Sequence, residues 1–218
     1  MSLPPLLQAY VDTHAPSVHA TSTGVLFHQE GHMRLGPDKP WVPFTAEQTM
    51  RADTTAFRWH ARVKMAPLMT AIVDDAYEDK KGLLDAKLFG LIPVAHGEGP
   101  RVDRGEVQRY LAELPWCPHA FERNPDLRFE QRDDVTVRVW CEHDPDAHVD
   151  LQFKEGNIVG AFTERRPRDD SDDPWQGRFT TYGEHQGVRL PVEGEVQWNL
   201  PDGPFAYWRG RITAWETT

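Results

Sequence analysis

A two-residue alternation of apolar and polar side chains recurs along most of this chain and constrains its fold more than any other feature. Val135, Val137, Val139 and Cys141 fall on one face, and Thr136, Arg138 and Trp140 on the other. That is the period of a half-buried strand. Val149, Leu151 and Phe153 repeat it against Asp150 and Gln152. Similar patterning predicts strands over about 22–30, 46–52, 55–64, 69–78, 83–90 and 158–163. Val188, Leu190 and Val192 extend the series, as do Val196, Trp198 and Leu200, and a last strand is expected over about 205–215. Lys80-Lys81-Gly82, Glu155-Gly156-Asn157 and Pro201-Asp202-Gly203 read as turns, because Gly, Asn and Asp tolerate the backbone that tight turns need. The polar run from Arg165 to Asp173 reads as an exposed loop. Roughly ten short strands joined this closely form an antiparallel meander and not βαβ units.

Two segments follow a helical period instead. Over about 4–13, Leu3, Leu6, Leu7, Tyr10 and Val11 make one apolar stripe behind Pro4 and Pro5, residues suited to a first turn. Over 103–114, Val107, Tyr110, Leu111 and Leu114 make another, with Asp103 as the expected cap and Pro115 as the stop. A sheet with one apolar face needs a cover, and the 103–114 helix is the natural one. The expected fold is therefore α+β, mainly β. It is a strongly curved antiparallel sheet, a half-barrel, around a central helix, in a single domain over 1–218.

Composition narrows the function classes. The chain has 218 residues and a formal net charge of −10. Such an acidic chain argues against nucleic acid as a partner. No apolar run reaches the roughly 18 residues of a membrane span. Two cysteines, Cys117 and Cys141, are too few for a disulfide framework. The opening Met-Ser-Leu-Pro-Pro lacks the basic stretch and apolar core of a signal peptide. A cytoplasmic location is expected on these grounds.

The segment 105–118, GEVQRYLAELPWCP, resembles an uncharacterised bacterial family marked by G-E-x-x-R-Y-L-A-E-x-x-W-x-P. Glu164-Arg165-Arg166, Pro174-Trp175, Tyr182, Pro191, Glu195-Val196-x-Trp198 and Pro201-Asp202-Gly203 follow in the same order. The likeness spans about residues 20 to 215; Cys117 and His119 depart from it. It implies an architecture similar to the half-barrel of bacterial lipoprotein carriers, where a curved sheet holds a lipid against helices.

Glu106, Arg109 and Glu113 share one face of the 103–114 helix, beside its apolar stripe. They read either as a charged rim lining a cavity or as a structural ion network. The first reading gives a binding module for an apolar or amphipathic small molecule, with Arg109, Tyr110, Trp116, Tyr182 and Trp198 as contact residues. The alternative is a cofactor-free hydrolase, lyase or isomerase doing acid–base chemistry in the same cavity, with Glu106, Glu113 and His96 as catalytic candidates. A half-barrel packed solid, with no pocket, is the third possibility. His96 lies in the Gly-rich stretch His96-Gly97-Glu98-Gly99, which precedes the helix. Cys117-x-His119 and Cys141-x-His143 repeat a C-x-H pattern, but that is not a usual zinc spacing, so neither metal nor cofactor is expected. The ligand and the oligomeric state are not fixed by the sequence.

Overall fold

The computed structural model describes residues 2–15 and 22–218. Thirteen strands dominate it. β1 (Gly24–Met33), β2 (Val42–Arg51), β3 (Phe57–Ala66), β4 (Met69–Glu78), β5 (Lys81–Leu88) and β6 (Ile92–Gly97) form one meander. β7 (Leu127–Gln131), β8 (Thr136–Cys141), β9 (Asp144–Lys154), β10 (Asn157–Arg168), β11 (Ser171–His185), β12 (Val188–Leu200) and β13 (Gly203–Thr217) form the other. The helices are α1 (Pro5–His14), α2 (Pro100–Glu113) and α3 (Ala120–Arg123), with a 3-10 turn at Leu114–Trp116.

All thirteen strands belong to one sheet, in the order β6-β5-β4-β3-β2-β1-β13-β12-β11-β10-β9-β8-β7. Every neighbouring pair is antiparallel. The first meander steps outward from the centre to one edge, and the second returns from the opposite edge. The segment between β6 and β7 must therefore cross the whole sheet, and α2 lies on that crossing. It packs on β4 and β5 of one wing and on β8, β9 and β10 of the other. One helix touches both wings only if the sheet curls around it, so the sheet is a half-barrel with α2 on its concave face.

Alternation determines which residues fill that concavity. β2 and β3 alternate buried and exposed residues along almost their whole length, so Phe44, Ala46 and Met50 point inward beside Phe57, Trp59 and Ala61. Val137, Val139, Val149 and Leu151 do the same on the other wing. From α2 and the turn after it, Val107, Tyr110, Leu111 and Leu114 are all buried. Each fully buried side chain of this size stabilises the fold by roughly 1.5–3 kcal/mol.

Three glycines line up in register across the centre of the sheet: Gly31 of β1 pairs with Gly210 of β13, which pairs with Gly194 of β12. A Cβ at Gly31 would lie 2.9 Å from the Phe44 ring, and one at Gly210 would lie 2.8 Å from the Trp208 ring. The aromatic rings lie directly on bare backbone here, which brings them close to the strands they cover.

Several boundaries differ from the sequence reading. The sheet has thirteen strands and not about ten. β6, β7 and β11 had not been expected. β6 is short and exposed, and β11 carries Asp172, Asp173, Pro174, Gly177 and Gly183, all poor strand formers. Arg165–Asp173 is not a loop; it is the closing end of the β10–β11 hairpin, with its turn at Asp169-Asp170. The two alternations over 188–200 belong to the single strand β12. Helix α2 starts earlier, with Gly99 at its N-cap and Pro100 in its first turn. Asp103 does not cap it; its Oδ1 accepts the Gly82 N–H at 2.7 Å and ties the helix to the β4–β5 hairpin.

Candidate functional site

The polar centre of the concave face is built on a register row. Gln48 of β2, Trp59 of β3, Asp75 of β4 and Leu84 of β5 are successive cross-strand partners. Arg109 of α2 sits over this row. Its Nε donates to Glu113 Oε1 at 2.9 Å, one helical turn on. Its Nη1 pairs with Asp75 Oδ2. Its guanidinium carbon lies 4.9 Å from the Phe57 ring centre and 5.1 Å from that of Trp59, a cation–π arrangement. Gln48 Nε2 donates to Glu113 Oε2 at 2.5 Å. Burial opposes the charged form of Arg109, but Glu113, Asp75 and Glu106 outweigh it and raise its pKa. Arg109 is thus a fixed cation clamped between two carboxylates.

Glu106 lies one turn earlier on α2 and is only 9% exposed. Among the described residues, neither its Oε2 nor Asp75 Oδ1 has a hydrogen-bond partner. Burial, then the neighbouring Asp75 charge, push the Glu106 pKa well above the ordinary carboxylate range, against the opposing pull of Arg166 and Arg109. Arg166, inward-facing on β10, is 8% exposed. Its guanidinium carbon sits 5.0 Å from the Trp175 ring centre, and its Nη1 has no acceptor among the described residues.

A cavity of about 180 Å³ opens beside these groups. Its walls are aromatic: Trp59, Trp116, Trp175, Phe179, Tyr207 and Trp208. Its polar lining includes Asp75, Arg109, Glu113 and Arg166. The wall rings are locked by packing and by their polar edges. Trp116 Nε1 donates to the Pro191 carbonyl at 2.9 Å, Trp59 Nε1 to Gln29 Oε1 at 2.9 Å, and Trp175 Nε1 to Tyr207 Oη at 2.9 Å. Trp116 also packs against Phe27, Phe179 and Trp208. A wider depression of about 720 Å³, edged by Glu30, Glu193, Arg209 and Arg211, has no such aromatic wall.

Of the residues singled out from sequence, Arg109, Glu113 and Trp116 line the cavity. Glu106 contacts the same charges without lining it. The other four lie elsewhere. Tyr110 points away, with its hydroxyl donating to the Arg51 carbonyl at 2.9 Å and accepting from Asn124 at 3.0 Å. Tyr182 sits by α1, donating to the Ile158 carbonyl at 2.7 Å and facing His14 and Arg189. Trp198 does not line the cavity and stacks on Tyr207, which does, at 6.1 Å. His96 is exposed on the edge strand β6, 3.7 Å from Asp85 and 3.6 Å from Glu98. Asp75, Arg166, Trp175 and Trp208 complete the site. Asp75 was legible in principle, since Ala71, Val73, Asp75 and Tyr77 share the inward face of one strand.

Cys117 and Cys141 are both free and buried. Burial raises the pKa of each thiol, that of Cys141 to about 12. His119 lies 3.8 Å from Cys117 Sγ, and burial and then Arg123 lower its pKa to about 4. His143 instead contacts the Tyr77 hydroxyl at 2.9 Å. Among the described residues, no three His, Cys, Asp or Glu side chains converge to hold a metal. No helix among them is long and apolar enough to cross a membrane.

No curated protein matches the sequence significantly. The fold is similar to several solved structures. One is a LolA superfamily protein from Nitrosomonas europaea, with TM-score 0.53 and 10% identity, covering 98% of this chain and 92% of the other. Another is a DUF1329 family protein from Desulfovibrio piger, with TM-score 0.50 and 6% identity, covering 97% and 90%. At these identities the likeness concerns the fold alone, a curved antiparallel half-barrel sheet. The model of one family of unknown function, DUF6544, matches residues 1–210, and the chain belongs to that family.

Proposed function

We propose that the chain binds a small apolar or amphipathic molecule in the concave cavity. The observation that carries this reading is an aromatic chamber of about 180 Å³ beside a cluster of buried charges. Small-molecule sites combine these two features, with apolar walls and a few placed polar groups. A half-barrel packed solid would leave no such space. The volume sets the ligand's scale. Cavities of about 150 Å³ take one benzene ring, so one ring or a short alkyl chain fills this one. The architecture, similar to that of lipoprotein carriers, fits an apolar guest but does not choose one. The two unpaired, buried thiols suit a reducing compartment, so a cytoplasmic location is part of the proposal. Native mass spectrometry of freshly purified protein tests the reading. A retained small molecule, released on denaturation, is expected. The reading falls if no adduct is seen and neither octan-1-ol nor indole changes the tryptophan fluorescence.

One observation favours acid–base chemistry as a second reading. Asp75 lines the cavity, and Glu106 beside it is pushed toward its protonated form by burial and by the Asp75 charge. In that case Asp75 contacts the substrate and Glu106 stores the proton. Turnover of small hydrophobic esters or lactones, lost in Asp75→Asn, would establish it; no turnover of any of them would leave binding alone.

A further inference from the structure

We infer that Arg166 is the recognition cation of the cavity and that the ligand it selects is a small apolar monocarboxylate, an inference that rests on the binding reading above. Arg166 lines the cavity and is more than nine-tenths buried. A guanidinium in such a place is normally paired, because an unpaired buried cation is among the costliest groups a fold can hold. Arg109 shows the paired case, held by Asp75 and Glu113. Arg166 forms no ion pair among the described residues. It has the Trp175 ring 5.0 Å away, and its buried Nη1 lacks an acceptor.

The groups facing Arg166 come from several elements. From β4 and α2 come Asp75, whose Oδ2 is held by Arg109 while its Oδ1 stays without a partner among the described residues, and Glu113, which is held by Arg109 and Gln48. Glu106, also from α2, acts on it only through space. Tyr207 of β13 has its hydroxyl taken by Trp175. Arg178 of β11 and Glu195 of β12 stand at the cavity lining as register partners of each other. Among the described residues no carboxylate pairs with Arg166, so the space beside it is where an acceptor from outside fits. A planar carboxylate matches the guanidinium fork with two parallel hydrogen bonds. The apolar remainder of the ligand then lies against Trp116, Phe179 and Trp208. Arg166 also belongs to the Glu164-Arg165-Arg166 stretch of the sequence likeness. Its place on the concave side gives that stretch a chemical role.

The experiment compares octanoate, octan-1-ol and octylamine, three probes with one chain and different heads, by isothermal titration calorimetry on the intact chain. Octanoate is expected to bind at least about tenfold tighter than octan-1-ol, as a charge-assisted pair requires, and octylamine weakest. Arg166→Met should erase the preference for octanoate over octan-1-ol. Arg166→Lys, which keeps the charge without the fork, should retain part of the preference and serves where the Met variant fails to fold. Equal affinities in the wild type, or a preference for the amine, would overturn the assignment while leaving a binding cavity. A preference for octanoate unchanged in both variants would move the recognition away from Arg166 and equally overturn it. If none of the three binds, and 3-phenylpropionate does not either, the binding reading itself falls.

Discussion

Glu106 and Arg109 are neighbours on one helix, yet they respond to substitution in opposite ways. The folded protein holds the Glu106 proton to a higher pH than the unfolded chain does. Between those two pKa values the folded state binds more protons, so stability falls as pH rises. The loss begins near the ordinary glutamate value of 4.5 and is complete above the raised one. Glu106→Gln has no proton to lose. Its melting temperature relative to wild type, followed from about pH 4 to about pH 9, should therefore climb as pH rises. A difference that stays constant across that range would show that Glu106 does not titrate in this way. Arg109→Met acts in the other direction. It leaves Asp75 and Glu113 together without their cation, and urea unfolding should show a loss of about 3–5 kcal/mol. The Glu106/Arg109/Glu113 rim was legible because all three lie on one helix at a regular spacing. Asp75 and Arg166 were missed because their partners come from other elements. Arg166 was hidden further by a run of charged residues that reads as loop, although the strand it belongs to turns it inward.

At the scale of elements, the account rests on α2 and on the glycine row. Leu111 is fully buried under the sheet, so Leu111→Ala should cost about 2–5 kcal/mol, measured as a shift of the urea midpoint. A cost below about 1 kcal/mol would mean that the helix does not cover the core as described. At Gly31 a methyl group would lie 2.2 Å from the Arg209 carbonyl oxygen. Gly31→Ala should therefore destabilise by about 1–3 kcal/mol through overpacking, seen in the same assay, and an unchanged midpoint would contradict the close contact. The two helices and the strongly alternating strands could be read from sequence because each carries its own period. β6 and β11 could not. β6 is an exposed edge with little apolar patterning, and β11 spends its length on charges, proline and glycine that only cross-strand pairing holds extended. The crossing of α2 from one edge to the other is likewise a property of topology, which local patterns do not encode.

For the whole molecule, the curled sheet closes over both thiols and over the cavity. Cys117 and Cys141 are buried, with raised pKa values, so a thiol reagent should find two reactive groups in denaturant and none in the native protein. One fast-reacting native thiol would mean that the half-barrel opens at that point. The central claim is that the space under the sheet is a ligand chamber and not an accident of packing. Ala112 of α2 lines it, and Ala112→Leu would extend a side chain into it. The most direct measurement is a tryptophan-fluorescence titration with octan-1-ol of wild type and Ala112→Leu, on samples whose circular dichroism is the same. The account predicts saturable binding by the wild type and at least a tenfold loss, about 1.4 kcal/mol, in the filled variant. Equal binding by the two proteins would place the ligand elsewhere and contradict it.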